Sequence, residues 1–346
     1  MPSTQLRVWA KDKPMQAALT LGLLLFLFYL AWPVLGWLTW KAQFFGEDRA
    51  ACTGDGACWV FIKVRLQQFL FGFYPKAELW RPLGLAGIWC VSLGLLLREK
   101  KPLPRGVAPV LLTLLPFLSW ALLDGRWLGL SYVETEQWGG LLLTLLIAAV
   151  GIAVSLPAGI VLALGRRSHL PFLRYVCVGF IELWRGVPLI AVLFMASVML
   201  PLFLPPGVEV NKLLRCLIGV SCFASAYMAE VVRGGLQAVP KGQYEAAQAL
   251  NFTYGQTMGL IVLPQALRHV IPGIVNTFIG LFKDTSLVLI ISMFDLLGMV
   301  QAASTDPEWS GYAMEGYIFA GLVFWCFCFA MSRYSLRMEK RLQTMQ

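Results

Sequence analysis

Charged side chains are scarce in this sequence of 346 residues. Asp, Glu, Lys and Arg together make up 14% of the chain, whereas apolar residues make up 58%. Soluble domains carry about 25% charged residues, so this composition excludes an ordinary water-soluble domain of this length. Lipid offers no partner to an unpaired backbone group, so the apolar runs must be helices. The sequence therefore predicts an all-α polytopic membrane protein.

Histidine is almost absent, since the chain holds only His169 and His269. This excludes a histidine-rich metal site, and we predict no metal site. The chain also lacks a glycine-rich phosphate loop and a hydrolase-type nucleophile motif. We therefore expect it to bind no ATP or other cofactor of its own and not to be an enzyme.

The formal net charge of +9 does not indicate a nucleic-acid partner. The basic residues lie in short loops between apolar runs, where they set the orientation of a membrane protein. We therefore predict a lipid bilayer, and no nucleic acid, as the surroundings of this chain.

Cys52 and Cys58 flank a TGDGA turn in a long polar loop, Thr39 to Trp80. In an oxidising compartment they can form a small-loop disulfide, and elsewhere they stay as two free thiols; both alternatives remain open. The other six cysteines lie in or beside apolar runs and are predicted to be small packing residues. They are Cys90, Cys177, Cys216, Cys222, Cys326 and Cys328.

Eight apolar runs are predicted to cross the membrane. They are Ala17–Leu38, Leu83–Leu97, Val107–Leu123, Trp138–Leu164, Tyr175–Leu204, Leu213–Val232, Val270–Val300 and Tyr312–Ser332. In the fourth run, Gly151, Ser155 and Gly159 form a ridge of small residues that lets a neighbouring helix approach closely. We divide the chain into a region of three spans with a long outer loop (1–137, loop 39–80) and a five-span core (138–346).

Eight spans place both termini on the same side of the membrane. Most of the 28 Lys and Arg residues lie on that side. Most of the remainder lie in the single long loop, where charge has less influence on orientation. We therefore predict that both termini are cytoplasmic and that the cysteine loop lies outside.

The stretch from Val239 to Ala266 is the one long segment that suits a membrane surface. Pro240 can open a helix, and small and apolar residues follow at helical spacing from Gln243 to Leu250. Asn251 is suited to the left-handed conformation that ends a helix, and Thr253 with Gln256 has the form of a capping box. We expect two short helices here, the second closed by Pro264.

Four motifs in order resemble the permease subunits of ABC importers, in the branch that takes up polar amino acids. They are ELWRGVPL (182–189), SAYMAEVVRGGLQAVPKGQ (225–243), the EAA sequence at Glu245–Ala247 with Ile261–Pro264 after it, and GLFKDTSL (280–287). The resemblance covers Trp138 to the C-terminus, which is the five-helix core. The family usually has Gly where this chain has Asn251.

The resemblance implies that 239–266 forms coupling helices seated in a cytoplasmic ABC ATPase dimer, which carries the Mg-ATP. It also implies a periplasmic amino-acid-binding protein and a place in the bacterial inner membrane. The residues expected to meet the ATPase are Gln243, Tyr244, Glu245, Ala246, Ala247, Leu250, Asn251, Leu263 and Pro264. The alternative is that Ala246, Ala247 and Leu250 pack on the chain's own helices; we favour the partner, because a hairpin packed only on itself buries little area.

The three extra spans resemble permeases of general L-amino-acid systems, which work as pairs of different permease subunits. The resemblance implies a second homologous permease subunit as partner, and pairing of this chain with itself is the alternative.

Ionisable residues at membrane depth usually line a pathway. An amino-acid zwitterion needs a cation for its carboxylate and an acceptor for its ammonium. The candidate pathway residues are Glu182, Arg185, Ser225, Tyr227, Glu230, Asn276, Lys283, Asp284, Thr285 and Ser286. The alternative is that Glu182 pairs with Arg185, and Lys283 with Asp284, purely to hold helices in place. For Glu182 and Arg185, three residues apart on one helix face, we favour the structural pair.

The main rival function is an ion-coupled secondary amino-acid transporter. That class predicts an inverted repeat with matching broken segments in two halves, and the sequence shows no such pair. A membrane enzyme would need a nucleophile and base, or metal ligands, near one face, which the sequence does not supply.

Overall fold

The computed structural model of the chain describes residues 14–96, 107–205 and 207–343. The first basic residues and the loop 97–106, both used in the charge argument, lie outside the described residues. The α-helices of the described part are α1 Pro14–Leu38, α2 Val60–Phe71, α3 Trp80–Leu96, α4 Val107–Asp124, α5 Gly140–Arg166, α6 Pro171–Gly186, α7 Leu189–Phe194, α8 Lys212–Ala238, α9 Lys241–Ala249, α10 Tyr254–Gln256, α11 Leu263–His269, α12 Ile271–Asp284, α13 Leu296–Ser304 and α14 Ala313–Gln343. Between them lie π-helical turns at Met195–Met199 and Thr257–Val262 and short 3-10 turns, the longest being Thr285–Ile291.

Each predicted run except the seventh overlaps a single helix or a bent helix pair, which confirms the all-α polytopic class. Within the described residues, five helical segments are long and apolar enough to cross a membrane by themselves: Pro14–Leu38, Gly140–Arg166, Lys212–Ala238, Ile271–Ile291 and Ala313–Lys340. A bent pair, Pro171–Gly186 with Leu189–Phe203, makes a sixth if it is one span. The second and third predicted runs coincide with the shorter helices α3 and α4.

The seventh predicted run, Val270–Val300, is not one continuous helix. Its helical part stops at Ile291, because Ser292 adopts the left-handed conformation with φ of 56°. The buried carboxylate of Asp295 then accepts a 2.9 Å hydrogen bond from the Gly298 N–H and starts α13. Polar residues at 292 and 295 therefore separate a span from a short helix that follows it.

The chain divides into two compact units, which we describe separately. The smaller unit combines the described residues up to Leu66 with Ala303–Phe319. Within it Cys52 and Cys58 form a disulfide, with their Cα atoms 5.6 Å apart, so the first of the two alternatives applies. The Cys58 N–H donates to Glu315 Oε1 at 3.0 Å, and Arg49 donates to the carbonyls of Pro307 and Glu308. Two segments more than 240 residues apart are thus held in one unit.

The larger unit, Gln67–Ala302 with Ala320 onwards, is organised around α8. Asn211 caps this helix by accepting hydrogen bonds from the N–H groups of Leu213 and Leu214. One half of α8, from Leu213 to Ala224, belongs to a core cluster with Ile147 and Leu193. Its other half, from Met228 onwards, belongs to a second core cluster. That second cluster also contains Ala163, Ile181, Val262 and Ala266.

Small residues of α5 allow α8 to approach closely, as the sequence predicts. Ser155 is fully buried, and a Cβ at Gly159 would lie 2.7 Å from the Cβ of Met228 and 3.0 Å from the Ala229 nitrogen. At Gly151 a Cβ would lie 2.8 Å from a methyl group of Leu281. The ridge is therefore the contact surface of α5 toward α8 and α12.

The bent pair is a broken span rather than a loop that turns back. Its two arms are bent by 102°, but its contacts follow α8 in one antiparallel register. Arg215 donates to the Ser197 carbonyl, Val192 lies against Gly219, and Arg185 lies over the ring of Tyr227. At 1.5 Å per residue, the twelve residues from Arg215 to Tyr227 correspond to about 18 Å along α8.

The glycine ridge makes a testable prediction. Val at Gly159 must displace the backbone of α8, so we expect Gly159→Val to destabilise the protein by about 1 to 3 kcal/mol. Thermal unfolding in detergent, followed by tryptophan fluorescence, measures the effect. Gly179→Val in α6 is the control, because nothing lies within 4 Å of a Cβ at that position. Equal melting temperatures for the two variants would contradict the packing argument.

Candidate translocation site and coupling segment

The break in the fifth span follows from Pro188. A residue before proline is pushed out of the helical region, and Val187 has φ of −110° and ψ of 133°. Helix α6 therefore ends at Gly186, and a new helical segment begins at Leu189. The break leaves Arg185 in the last turn of α6, beside Tyr227 of α8.

Glu230 of α8 is the centre of a charge cluster near this break. Its Oε1 accepts a 2.6 Å hydrogen bond from Arg166, and its Oε2 is 2.8 Å from two nitrogens of Arg233. Arg185 comes only within 4.0 Å of the same carboxylate. The carboxylate of Glu230 is thus satisfied by two arginines, and the third stands beyond hydrogen-bond distance.

The predicted pair of Glu182 with Arg185 is wrong. Glu182 instead accepts a 3.1 Å hydrogen bond from Arg166, which belongs to the end of α5. Helical spacing is compatible with an ion pair between Glu182 and Arg185, but in the structure Glu182 is paired with Arg166 of the neighbouring helix α5. In the sequence Arg166 stands out only as a loop charge, and nothing local marks it as the partner of two glutamates.

Asn276 and Lys283 share one exposed face of the span Ile271–Ile291, seven residues apart. Lys283 forms no ion pair with a described residue, including its neighbour Asp284. The ion pair of Lys283 with Asp284, which the sequence left as an alternative, is therefore not formed. Contact between a charged lysine and the lipid hydrocarbon is unfavourable in free energy. This face consequently belongs against water or another protein chain.

Three predicted pathway residues use their hydroxyl groups inside their own helices. Ser225 donates to the Ser221 carbonyl at 2.6 Å, and Thr285 donates to the Phe282 carbonyl at 2.7 Å, both in buried positions. Ser286 donates to the Lys283 carbonyl at 2.9 Å. The structure thus brings Glu182, Arg185, Tyr227 and Glu230 together, and leaves Asn276 and Lys283 exposed on the seventh predicted span.

The first helix of the 239–266 segment ends at Asn251, as predicted. Asn251 is left-handed with φ of 62°. Its N–H donates to the Gln248 carbonyl at 2.9 Å, and the Phe252 N–H donates to the Ala247 carbonyl at 3.0 Å. These two bonds form a Schellman motif, the commonest glycine-based helix ending, here built on asparagine. The turn therefore forms without the glycine usual in the family.

The second helix begins as predicted but does not end as predicted. The side chains and backbones of Thr253 and Gln256 form a reciprocal capping box. Pro264 does not close the helix, which continues to His269. The π-helical turn Thr257–Val262 shifts the hydrogen-bond register, so that Pro264 falls in the first turn of α11, where its missing N–H costs nothing.

Part of the predicted coupling set faces inward. Ala247 is 1% exposed, Tyr244 packs against the second core cluster, and Gln243 accepts a 3.1 Å hydrogen bond from Gln265. Glu245, Ala246 and Leu250 are exposed, Leu250 by 69%. Asn251 and Pro264 are also exposed, and Leu263 is half-buried. The outward surface is thus a mixed apolar and acidic patch on α9 and the turn after it.

Two contacts tie this segment to the spans. Arg167, at the end of α5, donates to the Leu236 carbonyl at 3.1 Å and to the Tyr244 hydroxyl at 3.4 Å. A Cβ at Gly235 would lie 2.5 Å from the Ala266 carbonyl oxygen, so α11 lies directly on α8. Sequence reasoning missed Arg167, although it lies in the basic turn after the fourth predicted run.

Comparison with known proteins shows which family this chain resembles. The profile of the family "binding-protein-dependent transport system inner membrane component" matches residues 155–344. The chain is 52% identical over 346 residues to the inner membrane amino-acid ABC transporter permease protein YhdY of Escherichia coli K12, covering 99% of this chain and 94% of that one.

The chain belongs to this family. It is also 40% identical to BztC of Rhodobacter capsulatus, a glutamate/glutamine/aspartate/asparagine transport system permease protein, over 95% of this chain and 91% of that one. Among solved structures, a crystal structure of an amino acid ABC transporter with histidines superposes with a TM-score of 0.53 at 27% identity. That match covers 58% of this chain and 92% of the other, so the permease is an inner membrane component with further helices beside the shared fold.

The asparagine-based turn gives a testable prediction. A β-branched residue is strained in the left-handed region, so Asn251→Val should cost about 1 to 2 kcal/mol and loosen the turn. Asn251→Gly should keep it. The rate of tryptic cleavage at Lys241 and Arg268, which flank the turn, measures the difference in detergent-solubilised protein. Cleavage of the Val variant at the rate of the Gly variant would contradict this account.

Proposed function

We propose that this permease is the membrane-spanning subunit of an ATP-driven importer that moves L-amino acids from the periplasm into the cytoplasm. The observation that carries the proposal is the exposed surface of 239–266. Leu250 and Tyr254 are 69% and 60% exposed on a segment whose own fold is fixed by a Schellman motif and a capping box. An ordered apolar surface of this kind is a docking site rather than a loose loop.

The partner at this surface is an ABC ATPase dimer. The chain has no phosphate loop of its own, so the energy for transport comes from a protein that binds Mg-ATP. Glu245, Ala246 and Leu250 contact the ATPase, while Ala247 and Tyr244 hold α9 to the permease. Gln243 and Leu263 stabilise the packing of α9 against the second helix of the segment. Asn251 and Pro264 set the angle between these two helices.

Movement of the ATPase reaches the spans through the contacts of Arg167 and Gly235. Arg167 links Tyr244 in α9 to the end of α8, and Gly235 links α8 to α11. Closure of the ATPase dimer thereby moves α8 and α5 and alternates the access of the pathway.

The class of substrate follows from the relatives. YhdY is named for amino acids, BztC for glutamate, glutamine, aspartate and asparagine, and the similar crystal structure for an amino acid. The family description adds dependence on a binding protein, which we infer to be periplasmic and to deliver the amino acid. A second permease subunit, homologous to this one, completes the pathway.

The exposed polar face with Asn276 and Lys283 lines that pathway together with Glu182, Arg185, Tyr227, Glu230 and Asp284. Lys283 has no ion partner among the described residues of its own chain, so it needs water, a substrate or the second permease beside it. Ser225, Thr285 and Ser286 support this region by stabilising the turns of α8 and the seventh span.

The orientation of the spans is part of the same proposal. Both termini and 239–266 lie in the cytoplasm, and the loop 39–80 lies in the periplasm. The Cys52–Cys58 disulfide supports this side, because disulfides persist in the oxidising periplasm and are rare in the cytoplasm. Residues 1–137 form the additional membrane region, and 138–346 form the permease core.

Glu245→Lys tests the coupling surface. Reversal of a charge in the contact should weaken ATPase binding at least tenfold, because like charges in an interface are destabilising. Co-purification of the ATPase with affinity-tagged permease measures this. The control is Glu134→Lys, an exposed glutamate in the loop before α5. Undiminished co-purification and uptake in the Glu245 variant would refute the coupling role.

Lys283→Ala tests the pathway. Loss of a charged hydrogen bond to the substrate or pathway should reduce the initial rate of ATP-dependent uptake about tenfold or more. Uptake of radiolabelled amino acids into proteoliposomes of the complete transporter gives the rate. Ile290→Ala, at an exposed apolar position in the 3-10 turn that ends the same span, is the control. Uptake that needs no ATP and collapses with an ion gradient would instead identify a secondary transporter.

A further inference from the structure

Glu182 and Arg185 lie one helical turn apart on α6, and each has unused bonding capacity. Glu182 is 55% exposed, and only its Oε1 accepts a hydrogen bond from a described residue, Arg166. Arg185 makes no hydrogen bond to a described residue and comes no nearer than 4.0 Å to its closest carboxylate, that of Glu230. A carboxylate oxygen of Glu182 can therefore still accept a hydrogen bond, and the guanidinium of Arg185, one helical turn away, can still donate.

The cluster around them carries an excess of positive charge. It contains three arginines, Arg166, Arg185 and Arg233, and two glutamates, Glu182 and Glu230. Glu230 already accepts from Arg166 and Arg233. The excess charge is therefore localised on Arg185, and the cluster would be neutral with one anion bound at its guanidinium.

Space and an apolar wall adjoin Arg185. The guanidinium lies 5.8 Å from the ring centroid of Tyr227, which is 40% exposed and packs against Phe223. Nothing lies within 4 Å of a Cβ at Gly186, the next residue. The Arg185 side chain is itself 36% exposed, so a small molecule can reach it.

We propose that Arg185 and Glu182 bind the main-chain zwitterion of the transported amino acid, Arg185 its α-carboxylate and Glu182 its α-ammonium. Residues three apart on a helix have Cβ atoms about 5 to 6 Å apart, a separation that suits two charged groups on one α-carbon. Arg185 can hold a carboxylate through two parallel hydrogen bonds. The proposal rests on amino-acid transport being the function. It explains how several amino acids share one pathway, because Arg185 and Glu182 bind only the α-carboxylate and the α-ammonium, which all amino acids have.

The other anion that could reach Arg185 is a lipid phosphate. Glu182, which is 55% exposed and lies one helical turn away, would repel a phosphate but attract the ammonium of an amino acid. The substrate carboxylate is therefore the better occupant, and the lipid is an outcome that the experiment must separate.

Equilibrium binding to the complete permease and ATPase complex, in nanodiscs without the binding protein, tests the pair. The probes are tritiated L-glutamate, L-glutamine, L-aspartate and L-asparagine. We expect Arg185→Gln to weaken binding about 10- to 100-fold and Arg185→Lys to weaken it less, because lysine keeps the charge but not the two parallel hydrogen bonds. Glu182→Gln should weaken binding about tenfold. Arg174→Gln, an exposed arginine on the same helix, should bind like the wild type.

Two analogues give a readout that a structural role would not change. L-isoglutamine has an α-amide in place of the α-carboxylate, and glutaramate is glutamine without its ammonium. The wild-type complex should bind isoglutamine more weakly than L-glutamate, which has the same side-chain carboxylate, and glutaramate more weakly than L-glutamine. Arg185→Gln should lose the discrimination against isoglutamine and keep that against glutaramate, and Glu182→Gln should do the opposite.

The outcomes separate this inference from the proposed function. If the wild-type complex transports no amino acid, the proposed function fails, and the inference fails with it. If it transports and Arg185→Gln binds the probes and analogues as the wild type does, only the inference fails. It also fails if a transporting wild-type complex binds none of the four probes, or if Arg185→Gln changes only the binding of phosphatidylglycerol relative to phosphatidylcholine.

Discussion

The interior of a bilayer offers no hydrogen-bond partner to a polar group. Many polar residues of these spans accordingly bond to other groups of the protein. Hydroxyl groups such as that of Ser225 bond to carbonyls of their own helix. Glu230 is matched by arginines from α5 and from its own helix. The Arg215 side chain reaches the carbonyl of Ser197 in a π-helical turn, where regular bonding is disturbed. The few polar groups that escape this pairing are consequently the informative ones.

Two of these unpaired polar groups lie in different parts of the spans. Arg185 stands at the break of a span, and Lys283 stands on an exposed helix face; both are cations without a hydrogen-bonding partner among the described residues. In water such residues would mean little, because a hydrated surface charge needs no explanation. In an apolar span each calls for an anion, a wet cavity or another subunit. The same side chains therefore connect the packing of the helices to the passage of a charged substrate.

Much of this fold could be predicted from the sequence, because apolar runs and helix signals are local. Asn251 and the pair Thr253 and Gln256 act through residues within five positions of themselves, and the structure confirms both. The ridge at Gly159 is also local in origin, since small residues four apart define a face whatever the partner helix is. The prediction for Pro264 is wrong because the effect of this proline depends on the hydrogen-bond register of the turn before it, which composition does not reveal.

The charge cluster could be predicted only in part. Glu182, Arg185 and Glu230 are conspicuous as ionisable residues in apolar runs, but their partners come from helices distant in sequence. Arg166 lies 64 residues from Glu230, and only the packing of α5 on α8 brings them together. The break at Val187 and Pro188 was within reach of sequence reasoning, because a proline within a span excludes the preceding residue from helical geometry.

The smaller unit has a consequence for the order in which the protein is made. The segment that holds Arg49 and the Cys52–Cys58 loop is synthesised 257 to 259 residues before Glu315, Pro307 and Glu308, to which it donates hydrogen bonds. Translation proceeds at about 5 to 20 residues per second, so this loop waits for tens of seconds with its final partners missing. A short covalent ring that needs nothing else to close is well suited to keep such a segment in shape until the remaining helices have been inserted.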